Sequence, residues 1–402
     1  MTARRASALI AAAGAGLVAG SALTLALQGT AAIPEDGPPP GSAAPVLAAP
    51  ERPDTFLAWT SGGLPDWFLD RAMTLPEIRR VVVVASDNAW LTGSFDEDGE
   101  IVDDPPPSFA IPLEVAAVDP DAYAPFLPPV DRGVTVALGH GKGVLGGSSA
   151  RLRGLGPGAV LRFGRVDVEI AAVLPDELVG AHELLVSRET GRLIDVRRDR
   201  YALLVVRGDP TDRRLTRRLE RVLPAGTPIR VRAPGDTPYF RHGDAVLPPV
   251  RIKELFGEFA ARPRPGAPGF LTLEPAWVRS NIATRRLPLL GRVTCHVALF
   301  AQIRGALREL KDLGLEGTID AYSGCFAPRH INRSPTAGIS HHAWGIALDI
   351  NAPANPFGSE PRQDPRMVEV FERWGFLWGG RFVVPDGMHF EYRRPPQPVV
   401  MT

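Results

Sequence analysis

The stretch "SHHAWGIALDI", Ser340–Ile350, sets two histidines side by side and an aspartate seven positions after the second. Further on, "PDGMHFEY", Pro385–Tyr392, places another histidine between two carboxylates. Five of the eight histidines of this 402-residue chain fall between positions 296 and 389. The run "IALDI" predicts a strand entered from a loop that carries His342. In "HFEY" the alternation puts His389 and Glu391 on one face of a second strand. Two such strands can bring His342, Asp349 and His389 to one point although no helical spacing links them. Two imidazoles and a carboxylate with an open fourth position are the ligand set of a catalytic Zn2+ ion; a structural zinc more often uses thiolates.

Working back along the chain, "HVALFAQIRGALRELKDLGL" (His296–Leu315) repeats Leu299, Phe300, Ile303, Leu307 and Leu310 at helical spacing, with Gly314 as the stop. "GTIDAYSG" (Gly317–Gly324) reads as a strand leading to Cys325. Cys295 and Cys325 are the only two cysteines, and in an exported chain an even pair predicts one disulfide. That bridge would pin the helix start to the strand end. Arg329, in "SGCFAPRHI" (Ser323–Ile331), is a candidate cation for a developing oxyanion or a substrate carboxylate, with an exposed structural arginine as the alternative. "WGFLWGGRF" (Trp374–Phe382) offers Trp378 as part of an aromatic wall or of the core.

Both quoted motifs match signatures of one family. "SHHAWGIALDI" fits Ser-x-His-x-x-Gly-x-Ala-x-Asp and "DGMHFE" fits Asp-x-x-His-Phe-Glu, in the family's order. Over about residues 270–393 the chain thus resembles the M15-type zinc peptidases, D-Ala-D-Ala carboxypeptidases and L-Ala-D-Glu endopeptidases. The resemblance implies an α+β domain with a small antiparallel sheet and flanking helices, acting on peptidoglycan stem peptides. It implies zinc on His342, Asp349 and His389, Ser340 as the signature serine, and His341 as a variable position. It makes Asp386 the general base, where some relatives carry Glu. Read from the residues alone, Glu391 is a second candidate for the base, or the group that orients His389. The Cys-Phe-Ala-Pro-Arg form around Arg329 resembles one branch of the family; many relatives place an arginine directly after a Ser-Gly-Tyr strand end. A non-catalytic zinc-containing recognition or envelope scaffold protein is the alternative function.

The remainder of the chain sets the context. Lys and Arg balance Asp and Glu at 45 each, which excludes a nucleic-acid binder by bulk charge. Arg4 and Arg5 precede an uncharged run, Ala6–Leu27, so residues 1–32 read as a signal peptide or an uncleaved signal anchor that exports the rest of the chain. Residues 33–54 are a Pro-rich linker. Residues 55–250 read as a separate α+β module: a helix in "LPDWFLDRAMTLPEIRR" (64–80), strands in "VVVVAS" (81–86) and "AWLTGSF" (89–95), a tight turn within 159–174, and strand-helix-strand over 201–233. "AVDPDAYAPFLP" (117–128) and "SARLRGLGPGAVLRFG" (149–164) faintly resemble the extracellular core of permeases in the macrolide-exporter class. "GHGKGVLGG" (139–147) lacks the spacing of a phosphate loop and reads as a turn-rich loop. His140 and His182 stand alone, as surface or core histidines. The module's partner is not assigned. Residues 251–269 read as a second linker and 270–402 as the metallopeptidase domain.

Overall fold

Apolar runs such as Val81–Ala85 leave no polar face, which suits a strand covered on both sides. The computed structural model of the protein describes residues 55–207, 212–234 and 241–396. The stretches read as a signal peptide or anchor, 1–32, and as a linker, 33–54, lie outside the described residues. Eleven strands join in one sheet: β1 (Thr55–Thr60), β2 (Ile78–Leu91), β3 (Gly93–Phe95), β4 (Ile101–Asp103), β5 (Ile111–Val118), β6 (Gly143–Gly146), β7 (Val160–Phe163), β8 (Val166–Leu174), β9 (Leu184–Ser187), β10 (Asp199–Val206) and β11 (Ile229–Arg232). Their order is β11-β1-β10-β2-β5-β9-β6-β8-β7-β3-β4. Only β5/β9 and β6/β8 pair parallel among these strands.

The two strands expected over 81–95 are arranged differently: β2 runs unbroken from Ile78 to Leu91. It pairs first with β10 and then with β5, and its polar Asp87 is matched by Arg200 at 3.5 Å. The helix expected over 64–80 shortens to α1 (Phe68–Met73), because Ile78 already belongs to β2 and Pro76 cannot donate a helical hydrogen bond. The stretch 139–147 is more regular than a loop. It closes one helix at His140, forms β6, and begins α2 (Gly147–Arg153). A Cβ at Gly146 would stand 2.6 Å from the His182 carbonyl, so strand proximity accounts for that glycine. Next, α3 (Asp212–Val222) completes the expected strand-helix-strand unit between β10 and β11. Leu215 and Leu219 of α3, with Phe68 and Ala72 of α1, cover Phe56, Ala58, Val81 and Val83 of the sheet.

Residues 251–269 are folded in this structure. Helix α4 (Pro249–Phe256) buries Ile252, Lys253 and Phe256. Lys253 Nζ contacts Glu183 at 2.8 Å and Glu258 at 2.7 Å and donates to the Pro112 carbonyl at 2.6 Å. Arg153 of α2 meets the same two glutamates and Asp103. A lysine in the stretch read as a linker is thus a buried, fully partnered charge. Phe256, Phe259 and Ala261 join the same core as Leu299, Ile303, Trp344 and Phe390.

Beyond it come β12 (Ala261–Pro263) with β13 (Leu271–Leu273), and the hairpin of β14 (Ile282–Leu287) and β15 (Gly291–His296). Helix α5 (Phe300–Asp312) presents Phe300, Ile303, Ala306, Leu307 and Leu310 inward, following its 3.6-residue pattern. Gly314, at φ +66°, stops the chain just past its end. A four-stranded antiparallel sheet closes the fold in the order β16 (Tyr322–Gly324), β17 (Ala347–Ile350), β19 (His389–Tyr392), β18 (Phe376–Trp378), with α6 (Pro365–Arg373) packed on it. All described residues fall within one compact unit. Among them, no helix is long and apolar enough to cross a membrane.

Candidate metal centre

Register brings the site together. In the β17–β19 pair Asp349 lies directly opposite His389, and Ala347 opposite Glu391. His342 precedes β17 in a 3-10 turn, His341–Ala343, capped by Ser340, whose Oγ accepts from the His342 backbone N–H at 3.4 Å. Ser340 therefore shapes the turn that presents the ligand. Gly345, at φ +67°, then swings the chain into β17; a Cβ there would meet the His296 nitrogen at 2.7 Å. One ligand atom each from His342, Asp349 and His389 lies within 4.8 Å of the others.

Hydrogen bonding behind these side chains fixes where their lone pairs point. His342 Nδ1 is 2.7 Å from the Cys325 carbonyl, which can only accept, so Nδ1 carries the proton. Its Nε2 is left as a lone pair, buried and without a hydrogen-bond partner, 3.3 Å from Asp349 Oδ1. His389 offers Nε2 to Glu391 at 3.1 Å and turns Nδ1 toward the same Asp349 oxygen at 3.4 Å. Lone pairs facing one another across such distances call for a cation between them, and these residues fit one. Without a metal, a proton answers that demand. Burial pulls His389 down, but its hydrogen bonds to Asp349 and Glu391 outweigh burial and push it up to about 10. Burial lowers His342 despite Asp349. Burial would raise Asp349, but the two histidines hold it well below the usual carboxylate range.

The carbonyl that orients His342 belongs to a disulfide. Cys295, in β15, and Cys325, just after β16, are bridged with Cα atoms 5.4 Å apart across 30 positions. Reduction should remove about 3–4 kcal/mol of stability on the loop-entropy model, read as a lower melting temperature. The His342 turn should persist, because the Phe326 N–H still donates to Thr294 and the Ala327 N–H to His342, both at 2.9 Å. Two titratable thiols in unfolded, non-reduced protein would contradict the bridge.

Asp386 stands in the turn before β19, its carbonyl accepting from the His389 N–H at 3.1 Å. Its Oδ1 is buried without a hydrogen-bond partner. Burial raises its pKa; Asp349 adds to this, while His389, His342 and Arg329 oppose it. Arg329 is half-buried and within electrostatic reach of Asp349 and Asp386; burial lowers its pKa against their pull. Trp378 is half-buried and donates Nε1–H to the Gly387 carbonyl at 2.8 Å, bracing the Asp386–His389 turn.

Two further residues reach the site without a motif to announce them. His341, a variable position by the family resemblance, puts Nδ1 2.7 Å from Glu391 Oε2, so Glu391 lies between two imidazoles. Burial would raise Glu391, but His341 and His389 hold it far below its usual value. No spacing rule signals this contact, because it joins the 3-10 turn to β19. The other, Tyr322 of β16, pairs across the strands with Ile350, the neighbour of Asp349. Burial, with the Asp349 charge adding, raises its hydroxyl pKa, and its only sequence signal is membership of the strand before Cys325.

Residues 333–392 match the sequence model of a family described as D-alanyl-D-alanine carboxypeptidase. No curated protein sequence matches the chain. Among solved structures, similar chains include the periplasmic region of MacB from Actinobacillus actinomycetemcomitans, at 14% identity and a TM-score of 0.30 over 45% of this chain and 88% of that one. Another is the extracellular domain of the noncanonic ABC-type transporter YknZ from Gram-positive bacteria, at 12% identity and a TM-score of 0.29 over 44% of this chain and 99% of that one. The segment that carries His342, Asp349, Asp386 and His389 is thus the one that matches the M15-type peptidase family.

Proposed function

We propose that residues 270–402 form a Zn2+-dependent peptidase domain that hydrolyses peptide bonds in peptidoglycan stem peptides, as a D-Ala-D-Ala carboxypeptidase or an L-Ala-D-Glu endopeptidase, on the extracytoplasmic side of the membrane. The observation that carries this reading is the convergence of His342, Asp349 and His389, with Asp386, whose Oδ1 is buried and unpaired, in the turn three residues before His389. His342, Asp349 and His389 would hold the ion. Zinc in a three-ligand site lowers the pKa of water toward ~7 and polarises a carbonyl oxygen.

The chain's own groups supply the rest. Asp386, whose pKa burial raises, takes a proton from the attacking water and delivers it to the departing amine. Arg329 receives the substrate carboxylate or the charge developing on the carbonyl oxygen. Glu391 holds His389 in the tautomer that leaves Nδ1 free, and His341 keeps Glu391 ionised while buried. No activity is assigned to residues 55–250.

Elemental analysis of the purified chain should find one zinc per molecule, and a stem pentapeptide should release D-alanine or a new amino terminus. A metal-free or inert protein would contradict the reading. Glu391→Gln should weaken zinc about 10- to 100-fold while kcat of the fully loaded enzyme stays near wild type. A zinc-loaded but dead Glu391→Gln would move the proton-transfer role to Glu391.

A further inference from the structure

Two loops lead into the metal centre. Residues 329–340 run from Arg329 to the Ser340 cap of the His342 turn, and residues 379–386 run from the end of β18 to Asp386. Both are held by residues of the N-terminal part of the chain. In the first loop, Thr336 accepts from Arg198 at its hydroxyl, 2.7 Å, and from Arg200 at its carbonyl, 2.8 Å. In the second, the Val383 N–H donates to Asp244 at 2.9 Å, and the Arg381 carbonyl accepts from Arg230 at 3.2 Å. Val383 also packs on the core that holds Trp59, Val84 and Tyr201.

The anchoring groups are themselves braced. Arg200 donates to the Ser86 carbonyl at 2.9 Å as well as facing Asp87. Asp244 pairs with Arg230 at 3.1 Å. It follows closely on Arg241, which grips Glu114 of β5 through two hydrogen bonds, at 2.6 and 3.0 Å. Asp244 is also within electrostatic reach of Glu391, the partner of His389.

The first loop needs such support. Its base is tied down locally, Arg329 bridging to Phe270 and His330 to Ile339. Beyond that base Asn332 and Arg333 take φ of +52° and +55° in succession. Non-glycine residues rarely adopt left-handed backbone, and they keep it where surrounding contacts over-determine it. These contacts are not what joins the N-terminal part to the site domain. The buried Lys253 and Arg153 cluster, with the core shared by Phe256 and Trp344, already does that. What Arg198, Arg200 and Asp244 fix is the course of the two loops.

We infer that Arg198, Arg200 and Asp244 are positioning residues of the metal centre, through which residues 55–250 clamp the loops that present Arg329 and Asp386. The consequence for turnover rests on the peptidase reading; the clamp itself does not. On that reading the two loops have different tasks. Releasing Thr336 loosens Arg329, which receives the substrate carboxylate, and so weakens binding. Releasing Val383 loosens Asp386, which moves the proton, and so slows the chemical step.

The test applies hydrogen exchange and steady-state kinetics to the full, zinc-loaded chain. With Arg198→Ala and Arg200→Ala together, amides of residues 331–338 should exchange about tenfold faster or more, and KM for a stem pentapeptide should rise about tenfold at unchanged kcat and zinc content. Asp244→Ala should instead speed exchange over residues 380–386 and lower kcat about tenfold at unchanged KM. Asp244→Asn should restore both, because its amide oxygen still accepts from the Val383 N–H. The Asp244 pair stands independently if the arginine variant, which leaves Asp87 without its ion pair, fails to fold. Loops that exchange as in wild type in folded variants would overturn the inference and leave the peptidase reading standing. So would loosened loops on an active enzyme whose KM and kcat do not move. Loops that loosen as expected in a protein that cuts no stem would uphold the clamp and remove the peptidase reading.

Discussion

Asp386→Asn lowers kcat by about 10²–10⁴ while zinc content and peptide binding stay at wild-type levels, because an amide cannot accept the proton that the carboxylate takes. The geometry sets this expectation. Asp386 Oδ1 is buried with no hydrogen-bond partner, and the side chain is not one of the three convergent donors. The turn holding it is fixed by its own N–H to the Gly379 carbonyl at 2.9 Å and by Trp378 on Gly387, so the isosteric amide should leave the backbone in place. Single-turnover kinetics with metal analysis on the same sample checks it. An active Asp386→Asn enzyme would remove Asp386 from the proton transfer.

His342→Ala should abolish stoichiometric zinc and, with it, turnover. Loss of one of three ligands leaves Asp349 and His389, and His389 then keeps its proton between Asp349 and Glu391. The loss has a readout besides activity. At a thousandfold excess of free zinc over Kd, wild-type protein should gain about 4 kcal/mol of stability, seen as a rise in melting temperature, and the variant should gain almost none. An equal zinc-dependent rise in both proteins would place the ion elsewhere.

Local order made much of the site legible. The strand carrying Asp349, the strand carrying His389 and Glu391, helix α5 and its Gly314 stop all follow from side-chain period and turn chemistry, which act over a few residues. The Cys295–Cys325 bridge followed from the count of cysteines in a chain read as exported. Contacts made across the fold were not legible. Lys253 falls in the stretch 251–269 read as a linker, and its partners, Glu183 and Pro112, lie 70 and 141 positions away. The His341–Glu391 contact joins positions 50 apart through a 3-10 turn that sequence spacing cannot place. Strand β2 runs through Asp87 and Asn88, which in isolation punctuate, because Arg200 from β10 and the partner strand β5 satisfy them.

The most direct measurement is mass spectrometry of peptidoglycan fragments after digestion by the zinc-loaded full-length protein, with Asp386→Asn as the paired control. A single new cleavage in the stem is expected, either loss of the terminal D-alanine or scission between L-Ala and D-Glu, absent from the control. Stems that bind the zinc-loaded protein yet remain intact, across stem chemistries and pH values, would contradict it and leave a recognition module in its place.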